Sequence, residues 1–128
     1  MVHRIATKKT EKFRGLGAAK WGTPSEAKKC ESLGAGEILL NSIDRDGKGN
    51  GYDIDTINQV TSELKIPVIA CGGAGKFSDF AEAINKGDAD GVAAANIFHH
   101  VEHSTIIAKA NMLRNDVKVR LNKIAQYK

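Results

Sequence analysis

Short apolar runs that end in small-residue loops, each followed by a stretch of helical period, constrain this chain more than any other feature. Glu37-Ile38-Leu39-Leu40-Asn41-Ser42-Ile43 gives way to a loop over 44–51, and Ile54, Ile57, Val60 and Leu64 then recur at helical spacing between Tyr52 and Lys65. Val68-Ile69-Ala70-Cys71 gives way to Gly72-Gly73-Ala74-Gly75, and a helix is predicted over 77–85 with Phe80, Ala81 and Ile84 inward and Gly87 ending it. Gly91 to Ala95 reads as a third strand. A helix from His103 or Ser104 to Asn115 follows, with Ile106, Ile107, Ala110 and Leu113 as its inward stripe. Apolar runs this continuous suit strands of a parallel sheet, buried on both faces. Alternation with helices makes the chain α/β, and both a doubly wound sheet and a (β/α) barrel fit. Either architecture places ligands at the carboxyl ends of the strands, where the glycines lie.

Upstream, Thr23-Pro24-Ser25-Glu26 forms a capping box, and Ala27, Cys30 and Leu33 make one stripe of a helix that stops at Gly34. Residues 1–22 form a basic segment with Lys8, Lys9, Lys12, Arg14 and Lys20, and no aspartate precedes Asp44. A charge run of this kind reads as solvated loop, so the single domain is expected over 23–128. Residues 117–121 read either as an extended tail or as a last edge strand.

Composition removes several function classes. The chain has 128 residues, 41% hydrophobic and 27% charged, which suits one folded core. Neither a signal peptide nor an apolar stretch of about 20 residues is present, so a cytoplasmic protein without a membrane partner is expected. Nineteen Lys and Arg against 15 Asp and Glu give a net charge of +4, which favours anionic ligands. No helix-turn-helix, zinc-finger or RNA-stacking signature accompanies that charge, so nucleic acid is not an expected partner. Cys30 and Cys71 are too few for a disulfide framework.

Gly72-Gly73-Ala74-Gly75-Lys76 reads as a phosphate cradle: backbone N–H groups without side chains can approach an oxyanion, and the next helix points its positive end at the same spot. Walker spacing and the dinucleotide fingerprint are both missing. Ala95 and Asn96, after the next strand, supply a second small-residue loop. Asp44 and Asp46, two residues apart with Gly47 at a strand end, are candidates for general acid or base work, and an ordinary acidic turn would look the same. His99, His100 and His103 cluster, but their order matches no metalloprotease motif and no cysteine is near. Neither a metal nor a cofactor is expected.

Together, Gly34-Ala35-Gly36-Glu37-Ile38-Leu39-Leu40, Ser42-Ile43-Asp44-Arg45-Asp46-Gly47, Gly51-Tyr52-Asp53, Pro67-Val68-Ile69-Ala70 and Gly72-Gly73-Ala74-Gly75 resemble the cyclase subunit of imidazole glycerol phosphate synthase. The resemblance runs from Thr23 to Leu121. It implies a TIM-type (β/α) barrel of histidine biosynthesis, a cyclase/lyase that takes ammonia from a glutaminase (amidotransferase) partner. Its substrate is a phosphorylated formimino ribonucleotide carrying a ribulosyl group. Residue by residue, it places Asp46, Gly47, Gly73, Ala95 and Asn96 at one of two substrate phosphates; the cradle reading adds Gly72.

The chain also departs from that family. The family's two main catalytic aspartates stand on the first and fifth strands, with a lysine after the first, and no counterpart is present. The expected fold is therefore a partial, half barrel of parallel strands beginning just after the fifth strand, inactive alone. An open half barrel leaves two unpaired edges, so an N-terminal half-barrel or a second copy in a homodimer is the expected structural partner. Ala95-Asn96-Ile97-Phe98-His99-His100-Val101-Glu102-His103-Ser104 is similar to paralogues in surface-polysaccharide gene clusters, which implies amidation of a nucleotide sugar as an alternative. A non-catalytic phosphosugar-binding or assembly subunit is the third reading.

Overall fold

The computed structural model describes residues 2–7, 24–100 and 102–121. Among the described residues four strands, β1 (Val2–Thr7), β2 (Glu37–Ser42), β3 (Val68–Cys71) and β4 (Gly91–Ala93), form one sheet in the order β1-β2-β3-β4. Every neighbouring pair is parallel. Strictly sequential order, without the reversal that defines a doubly wound sheet, decides between the two candidate architectures. The fold is α/β, an open parallel sheet of the partial TIM-barrel type.

Helices α1 (Pro24–Ser32), α2 (Ile54–Thr61), α3 (Phe77–Asn85) and α4 (Ser104–Arg114) connect or follow the strands, with a short 3-10 helix over Asn96–His99. Alternation along each strand sets the core. Ile38 and Leu40 of β2 and Val68 and Ala70 of β3 are buried with Ala27, Ile57, Val60, Phe80 and Ala108 from the four helices. Fully buried Ile38, Val60 and Val68 each contribute about 1.5–3 kcal/mol of transfer free energy. Leu39 and Asn41 of β2 and Cys71 of β3 belong to the opposite set and line a cavity instead.

Helix ends follow local chemistry with a few departures from the sequence expectations. Gly34 takes the left-handed turn after α1 (φ 95°), with the Ala35 N–H reaching Cys30 O at 3.0 Å. Leu33, expected on the inward stripe, lies beyond the end of α1 and is 79% exposed. Asp53 caps α2, accepting from Thr56 Oγ1 at 2.8 Å. After α3 the left-handed residue is Asp88 (φ 57°), not Gly87. Gly87 is required for space, because a Cβ there would press on Ala83 O and Ile57. On α4, Ser104, Ala108, Ala110 and Met112 are buried, whereas Ile107 is 41% exposed; this small-residue face allows close packing on α3. Residues 117–121 form no regular element, although Val117 is buried. The expected cap Thr23 lies outside the described residues.

The loop expected over residues 1–22 requires the largest correction at residues 2–7; residues 1 and 8–22 lie outside the described residues. Val2–Thr7 is not solvated loop but a strand paired in register with all of β2, from Val2 with Glu37 to Thr7 with Ser42. A buried strand is read from sequence by an unbroken apolar run, and Val-His-Arg-Ile-Ala-Thr lacks one. The element is recognisable only by its backbone pairing. It stands beside the strand carrying Ser42-Ile43-Asp44-Arg45-Asp46-Gly47, the position that the resemblance gives to the fifth barrel strand.

Candidate functional site

The carboxyl ends of β2, β3 and β4 surround a cavity of about 320 Å3. Asp46, Gly47, Gly72, Gly73, Ala95 and Asn96, the residues that sequence placed at a phosphate, all line it. Asp44 is half-buried and does not line it. Sequence reasoning missed Leu39, Asn41, Cys71 and Ala93, the strand residues that also line it. Their signal was the two-residue alternation of strands: once a strand's last loop residue is assigned to the site, the residue two before it shares that face.

Backbone contact between two loops builds the rim. The Gly51 N–H donates to Gly73 O at 2.8 Å, and Arg45 Nη1 donates to Gly51 O at 3.3 Å. Gly73 has φ 109°, and a Cβ on it would overlap Gly51 O; one on Gly75 would overlap Gly49 O. Glycine at these positions lets the loop after β2 lie directly on the loop after β3.

The helix α3 contributes less to the cradle than its position suggests. Asp79 Oδ2 accepts from the Gly75 and Lys76 N–H groups, each at 2.9 Å, so the two donors that lead into the helix are occupied. The Gly73 and Ala74 N–H groups, just before them, donate to nothing among the described residues, and neither do those of Asn96 and Ile97 across the cavity. His100 Nε2 lies 3.2 Å from Asn96 Oδ1. With the imidazole as donor, the Asn96 carboxamide is oriented and its Nδ2 hydrogens remain for another acceptor.

Tyr52 ties the site to its base. Its ring is 3% exposed and meets Phe80 at 6.3 Å, and its hydroxyl donates to Ala93 O at 2.9 Å. Burial, followed by the charges of Cys71 and Asp79, pushes its pKa far above the usual tyrosine value and keeps the hydroxyl a donor.

Two further features are bounded by the structure. Among the described residues no three His, Cys, Asp or Glu side chains gather as a metal site, and no helix is long and apolar enough to cross a membrane.

Comparison with known proteins identifies the family of the chain. A family model described as "Histidine biosynthesis protein" matches residues 4–104, which include residues 4–7 of β1. The chain is 51% identical over 100 residues to a Vibrio vulnificus (strain YJ016) protein provisionally named imidazole glycerol phosphate synthase subunit hisF2, covering 78% of this chain and 37% of that one. It is 47% identical over 118 residues to proteins named imidazole glycerol phosphate synthase subunit HisF in Dehalococcoides mccartyi strains BAV1 and CBDB1, covering 92% of this chain and 45% of each. The chain thus spans less than half the length of the curated relatives it matches. Family match, sequential parallel sheet and loop motifs agree, and the chain belongs to the histidine biosynthesis protein family, with similarity to the cyclase subunit of imidazole glycerol phosphate synthase.

Proposed function

We propose that this chain is the phosphate-gripping part of an imidazole glycerol phosphate synthase cyclase-type protein, binding one phosphate of a ribulosyl or ribonucleotide substrate. One observation carries the reading. Gly73 and Ala74 on one loop, and Asn96 and Ile97 on the other, offer backbone N–H groups without a protein acceptor among the described residues, and Gly73 and Asn96 line a single cavity. Such preorganised amides suit a dianionic oxygen cluster. Asp46 at the same cavity then accepts from a hydroxyl of the substrate rather than from the phosphate. Ammonia comes from a glutaminase partner, and turnover needs an N-terminal half-barrel or a second copy beside the sheet.

Ammonia-dependent consumption of the formimino ribonucleotide by this chain together with an N-terminal half tests the cyclase reading. No turnover with that pair counts against it. Binding of inorganic phosphate, followed by calorimetry, tests the grip separately, and Ala95→Asp is the variant to use. Gly73→Asp is not, since its Cβ would overlap Gly51 O before its carboxylate met any ligand.

A second reading is favoured by β1. Val2–Thr7 contains no acidic residue, although it occupies the place where the resemblance expects a catalytic aspartate. A non-catalytic phosphosugar-binding subunit would retain phosphate binding and give no turnover in any pairing.

A further inference from the structure

The two donor pairs come from different loops, with Gly73, Ala74 and Asn96 lining the cavity and Ile97 next to Asn96, and their separation has to be fixed for one phosphate to meet both. Residues 51 and 52, adjacent in a third loop, reach both sides. The Gly51 N–H holds Gly73 O at 2.8 Å, and the Tyr52 hydroxyl holds Ala93 O at 2.9 Å. Ala93 is the last residue of β4, three before Asn96. The Tyr52 ring is anchored independently of this bond: it packs on Phe80, which also meets Phe77 at 6.0 Å and Phe98 at 5.8 Å. Phe98 lies in the 3-10 helix that begins at Asn96. A rigid aromatic base therefore carries one hydroxyl to the carbonyl from which the Asn96 loop departs.

We propose that Tyr52 is a positioning residue for the phosphate site: by holding the Ala93 carbonyl, its hydroxyl sets where the Asn96 and Ile97 N–H groups stand relative to those of Gly73 and Ala74. The proposal rests on the phosphate-binding reading above and adds a residue that touches no ligand. Tyr52 is absent from the cavity lining, so it acts only through the β4 loop. Loosening a preformed anion site by a fraction of an ångström costs about tenfold in affinity.

Tyr52→Phe keeps the ring and removes the hydroxyl. Asn58→Ala is its control, because it also removes one side-chain bond to a backbone carbonyl, Asn58 Nδ2 to Lys86 O at 2.8 Å, away from the cavity. Calorimetry with inorganic phosphate and with ribose 5-phosphate compares both variants with the wild type. The expected result is a Kd raised about tenfold in Tyr52→Phe and unchanged in Asn58→Ala, with the amide shifts of Ala94 to Ile97 moved before any ligand is added. A wild-type Kd in Tyr52→Phe, or unmoved Ala94 to Ile97 shifts, overturns the positioning role while the phosphate site stands. A Tyr52→Phe chain that fails to fold beside a folded Asn58→Ala chain overturns it too, since the hydroxyl is then structural. A wild type that binds neither anion removes the phosphate reading, and the positioning role goes with it.

Discussion

The two ends of the sheet treat their backbone amides in different ways. At the amino end, carboxylates close them. Glu31 Oε1 accepts from the Lys65 and Ile66 N–H groups at 2.7 and 3.1 Å, and Asp90 Oδ2 accepts from the Val68 N–H at 2.9 Å. At the carboxyl end one carboxylate, Asp79, does the same for Gly75 and Lys76, and the donors immediately before them, at Gly73 and Ala74, are left open. Buried donors without an acceptor are costly, so the amino end is built for stability, whereas the carboxyl end holds open donors beside glycines that permit close approach. The proposed phosphate site rests on that difference, on donors that the chain declines to fill.

Glycine substitutions break this comparison most severely. Gly73→Ala combines φ 109° with overlap onto Gly51 O, and a loss of about 3 kcal/mol or more in urea unfolding is expected. Gly47→Ala has φ 75° but nothing within 4 Å of the added carbon, so a loss of about 1 kcal/mol is expected. Equal losses would mean that the loops after β2 and β3 are not in contact.

The contrast between those two glycines also marks where the sequence is legible. Gly72-Gly73-Ala74-Gly75 directly after an apolar run reads as a strand-end cradle because glycine's freedom is a local property. The crowding at Gly73 is not local, since Gly51 arrives from 22 positions upstream and only the fold brings it there. For the same reason β3 and α3 match their expected bounds, whereas β1, held by pairing with β2, escapes a reading based on apolar runs. Asp79 was visible as a residue but not as the acceptor that removes two donors from the cradle.

Asp90→Ala sharpens the comparison from the amino end. Val68 is 1% exposed, and removing its acceptor strands a buried N–H, with an expected loss of about 2 kcal/mol in urea unfolding. Phosphate affinity should not change, because Asp90 lies at the far end of the strands. A parallel drop in affinity would show that the two ends are coupled.

Ala95→Asp acts at the other end with the opposite signature. Ala95 is exposed and has φ −122°, so a carboxylate is accommodated without strain and stability should stay within about 0.5 kcal/mol. A negative charge beside the open donors should weaken inorganic phosphate binding about tenfold, equivalent to ~1.4 kcal/mol. Unchanged affinity in calorimetry would take Ala95 out of the site.

The smallest effect tests the base that joins the site to the core. Burial raises the Tyr52 pKa in the folded chain, so the folded state holds this proton more tightly than the unfolded state, where a tyrosine titrates near 10. Its contribution is therefore complete below pH 10 and is lost as pH rises through 10 toward the folded value. At pH 10 the loss is ~0.4 kcal/mol, because half of the unfolded hydroxyls are already ionised. Tyr52→Phe removes this ionisation, so wild type and variant should converge in stability between pH 8 and pH 10 by that amount. A constant difference across the range would show that the Tyr52 hydroxyl ionises as readily in the folded chain as in water, and the bond to Ala93 O would no longer account for the shape of the site.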